Sequence, residues 1–183
     1  MTQDSAPDAQ EMPNQGRRNW LIGTVAGVAA LVGAGLAWRN DRRSAGADSE
    51  LWRLKFENMQ GGEFSMSTLR GNPLLLNFWA TWCPPCIEEL PLLSSFYREN
   101  VSKGWQILGL AVDQRLPVRQ FLNRTPLPFP VALAGTSGIE LSRSLGNTAG
   151  GLPFTVVIGS DGNVMQRKIG PMSADDLRAL ARI

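Results

Sequence analysis

Residues 74–80 read Leu-Leu-Leu-Asn-Phe-Trp-Ala, an apolar run with one polar position, preceded by Gly71-Asn72-Pro73 and leading through Thr81 and Trp82 into Cys83-Pro84-Pro85-Cys86. A short apolar run bounded by turn residues is the pattern of a central strand buried on both faces. The prolines that follow suit the first turn of a helix, where amide donors have no intrahelical partner. A buried strand feeding directly into a helix predicts a mixed α/β layered fold.

Cys83 and Cys86 are the only cysteines, and the chain has no histidine. Thiols at this spacing on a helix start lie within disulfide reach. The first stands at the helix N-terminus, where unpaired amides and the macrodipole favour a thiolate. Cys83 is therefore expected to be the exposed attacking thiolate and Cys86 the buried resolving thiol of a dithiol that cycles. Pro84 and Pro85 stiffen the loop and withhold amides that could solvate sulfur. A structural zinc site would want about four ligands, which the chain does not supply. A Cys-His hydrolase lacks its base. A purely structural disulfide is the competing reading, although so small a loop removes little unfolded-state entropy.

The remaining pattern is consistent with one domain. Hydrophobic residues make up 43% and charged residues 19%, the composition of a globular chain. A net charge of +2 calls for no nucleic-acid partner. Residues 51–57 and 63–67, around Gly61-Gly62, predict a hairpin. The helix opened by the cysteines is expected to reach Asn100, kinked at Pro91. Strands are expected at 105–112 and 131–133, helices at 116–124 and 137–145, and a hairpin at 154–159 and 163–169. Asp161-Gly162 tolerates the positive φ angles that such a hairpin turn uses. Ser173 is a candidate cap for a last helix.

The N-terminal part has a different composition. Residues 1–19 are polar and aperiodic, as in a disordered tail. Residues 20–38, from Trp20 to Trp38, carry no charge. At about 1.5 Å per residue they can cross a hydrocarbon core of about 30 Å, with a tryptophan at each interface. We expect an uncleaved transmembrane signal anchor, because the cleavage-like Ala45-Gly46-Ala47 lies beyond Arg39, Arg42 and Arg43. Arg17-Arg18 makes twin-arginine export the alternative route. Residues 39–49 read as a linker and 50–183 as the soluble domain.

The stretch from Asn77 to Pro91, containing Trp82-Cys83-Pro84-Pro85-Cys86 and Glu88-Glu89-Leu90-Pro91, resembles the active-site segment of the TlpA/ResA-like thiol:disulfide oxidoreductases of the thioredoxin-like superfamily. Gly150-Gly151-Leu152-Pro153-Phe154 resembles the cis-proline loop of that family. The resemblance implies a thioredoxin-like fold with an N-terminal hairpin and no cofactor. It also implies a catalytic domain on the periplasmic side of the bacterial inner membrane. Its substrates would be protein disulfides, with electrons supplied by a membrane thiol donor. Clients would include apocytochrome c in cytochrome c maturation, or proteins of copper-site assembly. Pro153 would be cis and adjoin the cysteines, and Trp82 would offer a contact surface. Thioredoxin has an aspartate where this chain has Asn77, so Glu89, or less directly Asp113, is expected to take the resolving proton. A peroxiredoxin-like peroxidase is disfavoured by Ala80 and Leu76, which stand where that chemistry wants a hydroxyl and a proline. A copper carrier is disfavoured by the lack of histidine.

Overall fold

Side chains alternate across a strand, so a strand that is apolar throughout must be covered on both faces. The structure, a computed structural model describing residues 50–182, meets this requirement. Its strands are β1 (Lys55–Asn58), β2 (Glu63–Ser65), β3 (Leu74–Trp79), β4 (Gln106–Ala111), β5 (Val131–Leu133), β6 (Phe154–Ile158) and β7 (Val164–Ile169). The helices are α1 (Pro84–Asn100), α2 (Arg115–Arg124), α3 (Gly138–Ser144) and α4 (Ala174–Leu180). The strands form one mixed sheet in the order β2-β1-β5-β4-β3-β6-β7. β3 runs parallel to β4 and antiparallel to β6, with Asn77 opposite Gly109 on one side and Thr155 on the other. This is the expected thioredoxin-like arrangement.

All six residues of β3 are buried. Leu75 and Trp79 face a core shared with Leu90, Leu93 and Phe96 of α1, Val118 of α2, and Leu177 and Leu180 of α4. Leu74, Leu76 and Phe78 face the other core, with Leu108, Leu110, Phe154, Val156, Leu51, Trp52 and Met66. Each such side chain contributes roughly 1.5–3 kcal/mol when fully buried, so the two layers together hold the sheet rigid beneath the site.

Several expectations are corrected in detail. The first strand begins at Lys55, not Leu51, because residues 50–54 turn: Arg53 N–H donates to Glu50 O and Leu54 N–H to Leu51 O. That turn places Leu51 and Trp52 in the core as plugs. In the β6–β7 turn only Gly162 takes a positive φ, of 86°. Asp161 instead stays in ordinary backbone space and binds Asn163 through both carboxylate oxygens. Pro91 lies inside α1, which continues to Asn100. Ser173 caps α4 in a reciprocal box with Asp176.

The expected tail at 1–19, membrane segment at 20–38 and linker at 39–49 lie outside the described residues. Among the described residues no helix is long and apolar enough to cross a membrane.

Candidate active site

β3 delivers the chain to the cysteines. Three residues after Trp79, Trp82 precedes Cys83, which is the N-cap of α1 with Pro84 and Pro85 in the first two helical positions. Cys83 and Cys86 form a disulfide with their Cα atoms 5.3 Å apart. The first helical amides, Cys86 N–H and Ile87 N–H, both donate to Cys83 O. With proline at the two positions before them, these amides are committed to backbone. Stabilisation of a Cys83 thiolate then falls to the helix macrodipole. The expected exposure of Cys83 is corrected: in the oxidised state it is only 5% exposed, and Cys86 is fully buried. Cys83 remains the more accessible sulfur, at a rim formed by exposed Pro84 and by Trp82, which is 64% exposed. At that exposure Trp82 is a surface group and not core packing.

Asp113 sits just after β4 and accepts hydrogen bonds from both the backbone N–H and the hydroxyl of Thr81. Its other oxygen accepts from Gln114 N–H. Through Thr81 this carboxylate ties down the segment that carries Cys83. Trp82 and Asp113 also line a groove of about 950 Å³ with Pro117, Leu133, Ala134 and Ile139.

Glu88 is exposed, whereas Glu89 is 2% exposed on the inner face of α1. Residues three apart on a helix share a face, so the Glu89 carboxyl and the Cys86 thiol look into the same layer. Glu89 Oε1 accepts from Asn77 Nδ2 at 2.8 Å, and Oε2 accepts from Met172 N–H at 2.7 Å. Burial pushes the carboxyl above its ordinary range, and the Met172 and Asn77 donors only partly oppose the rise. Asn77 Nδ2 also donates to Thr155 Oγ1 at 3.0 Å, while Asn77 Oδ1 has no partner among the described residues.

The Leu152–Pro153 peptide is cis, as the resemblance implies. Because Phe78 pairs with Phe154, Pro153 stands at the end of β3 from which the chain departs toward Cys83. Pro153 O accepts from Gly170 N–H at 2.9 Å, and Leu152 packs against the apolar cluster that contains both cysteines.

The fold thus gathers Cys83, Cys86, Pro84, Pro85 and Trp82 at one end of the sheet, with Glu89 beneath and Pro153 just before the adjoining strand β6. Asp113 joins them through Thr81. Sequence reasoning set Asn77 aside and turned to Glu89 for the proton, and the structure bonds the two to each other. Asn77 was marked in the sequence as the polar interruption of β3. Thr155 and the Met172 amide had no such mark, since only sheet register and the packing of α4 on α1 bring them there. No cluster of three or more His, Cys, Asp or Glu side chains gathers to hold a metal among the described residues.

Residues 41–182 match the Redoxin family. Over 121 residues the chain is 33% identical to the thiol-disulfide oxidoreductase ResA of Bacillus thuringiensis (strain Al Hakam), covering 66% of this chain and 68% of that protein. The crystal structure of a thiol:disulfide interchange protein of the thioredoxin family from Chlorobium tepidum TLS superposes with a TM-score of 0.61 at 30% identity, covering 70% of this chain and 90% of that one. The structure of MTB DsbF in its mixed oxidized and reduced forms gives 0.62 at 25% identity, covering 72% and 95%.

Proposed function

This chain belongs to the Redoxin family and is a ResA-like thiol:disulfide oxidoreductase, and from that premise we propose that it is a membrane-tethered, extracytoplasmic protein-disulfide reductase. The observation that carries the reading is a dithiol at the tip of α1 with a buried carboxyl, Glu89, on the same helix face.

In the reduced enzyme the Cys83 thiolate attacks one sulfur of a client disulfide. This forms a Cys83–client mixed disulfide and releases one client thiolate. Glu89 takes the proton of Cys86, and the resulting thiolate attacks the Cys83 sulfur. The second client thiolate leaves, two electrons have passed to the client, and the Cys83–Cys86 disulfide is what remains. A membrane dithiol donor returns the pair to its reduced state. A carboxyl raised by burial is closer in basicity to a thiol than an ordinary one, which suits it to receive that proton. Leu152, before Pro153, offers backbone to an extended client segment. Trp82 supplies apolar contact beside the sulfur.

The tether is residues 20–38, supported by their length, lack of charge and terminal tryptophans. Sec export with an uncleaved anchor puts the domain on the periplasmic side. The proposed clients are the heme-binding cysteines of apocytochrome c or proteins of copper-site assembly.

Trapping tests this. Cys86→Ala in the native host leaves Cys83 joined to its partner, and extracytoplasmic cysteine proteins are expected among the captured species. Capture of cytosolic proteins alone would defeat the localisation. A reduction potential near −120 mV, the range of strong oxidants, would defeat the direction.

A further inference from the structure

The loop from Leu145 to Pro153, Leu-Gly-Asn-Thr-Ala-Gly-Gly-Leu-Pro, joins α3 to β6 and contains three glycines. Such a segment has many accessible backbone states, so a defined conformation must be imposed from outside. Its ends are anchored: Arg167 Nε donates to Leu145 O at 2.6 Å and Gly170 N–H to Pro153 O at 2.9 Å. Gly146 and Gly150, at φ of 109° and 68°, turn the chain on either side of Asn147, Thr148 and Ala149.

The first of these three, Asn147, is fully buried. Its N–H donates to Ser142 O and its carbonyl accepts from Gly150 N–H, both at 2.9 Å. Its side-chain Nδ2 donates to Gly151 O at 2.8 Å and to Ser142 Oγ at 3.2 Å. Its Oδ1 is buried without a partner among the described residues. An orphaned buried acceptor is a cost that an apolar side chain of this size would avoid, so packing alone does not account for an amide here. What the amide supplies is a donor group, shared between Ser142 Oγ and, at the shorter distance, Gly151 O.

We propose that Asn147 is a positioning residue that orients the Gly151–Leu152 peptide for client docking. In a planar trans peptide the C=O and the following N–H point to opposite sides. Holding Gly151 O inward therefore turns Leu152 N–H outward, and Leu152 N–H and C=O have no hydrogen-bond partner among the described residues. An extended client strand can then pair with this edge while its disulfide meets Cys83. The inference rests on the reductase reading and deepens it, because Asn147 acts on docking and not on sulfur chemistry.

The test compares two substrates with the full-length protein. Asn147→Asp keeps the size but removes the donor, and Asn147→Ala removes the amide without adding charge. For either variant, kcat/KM for insulin disulfide reduction is expected to fall about tenfold, mostly through KM, an effect the size of one or two lost hydrogen bonds. The rate of reduction of the small disulfide DTNB and the Cys83–Cys86 potential should change less than about twofold on the same scale. A parallel loss with both substrates, or no loss with either, overturns the assignment. In the unmutated protein the Asn147 side-chain NH₂ protons should exchange slowly in both redox states. Exchange at the free-amide rate overturns it without recourse to any variant. An unmutated enzyme that reduces DTNB but not insulin overturns the protein-reductase reading itself, a result distinct from failure of the Asn147 assignment alone.

Discussion

The two faces of the sheet are buried to similar depth with different chemistry. Against Leu74, Leu76 and Phe78 the layer is apolar, with Leu51, Trp52, Met66, Leu108 and Leu110, and among the described residues it holds neither a buried carboxyl nor a thiol. Against Leu75 and Trp79 the layer contains the Cys83–Cys86 bridge, with Asn77, Glu89 and Thr155 buried in the same region. The first face contributes stability alone. On the second, each apolar contact also sets the polarity around an ionisable group, so packing there and reactivity are linked.

That contrast can be broken or sharpened by experiment. Cys83→Ser should reduce insulin turnover to the uncatalysed background, since the other thiol, Cys86, is fully buried; residual turnover would mean that Cys86 acts alone. Phe78→Ala, on the apolar face, should cost about 3–5 kcal/mol in urea unfolding. Its Cys83 alkylation profile against pH should not move, and a shift would show that the two faces are not separable.

Glu89→Gln sharpens the comparison from the other side. Its folded carboxyl is raised, so the oxidised enzyme loses stability as pH climbs from the unfolded value near 4.5 through the folded one. The variant should lack that loss, and the orphaned Asn77 Oδ1 can accept from the new amide after a flip. In the reduced protein the variant's thiol alkylation profile should move by about one pH unit; an unchanged profile would remove Glu89 from proton transfer. The smallest effect is expected at the N-terminal cap of α4. Asp176 is lowered to about 2 by Lys168 and Ser173, so its contribution is present above 3.8 and fades as pH falls through about 2. Asp176→Asn should cost about 0.5–1 kcal/mol at neutral pH by weakening the α4 cap, with no difference at the acid end.

Much of this was legible in the linear chain, for reasons specific to each element. β3 and α1 were readable because an apolar run and a proline-rich helix start are local signals. The same holds for the capped start of α4 at Ser173. Residues 51–54 were misread because their apolar alternation looks like a strand, while the turn bonds that curl them into the core leave no pattern. The Asp161-Gly162 turn was placed correctly but given one positive φ too many, since the side chain of Asp161 found a local partner in Asn163.

The sequence alone determined the dithiol, its place at a helix tip, the glycine-proline loop and the family, because these depend on residues close together along the chain. The tertiary structure decided what surrounds them. The Asn77–Glu89–Met172 chain of hydrogen bonds spans 12 and 83 positions of sequence. That chain has no local cause, whereas the inward turn of Gly151 rests on Asn147 four positions away, itself placed by burial. Burial and hydrogen-bond geometry are properties of the packed sheet and helices, and they exist only once strand register and helix docking have been set.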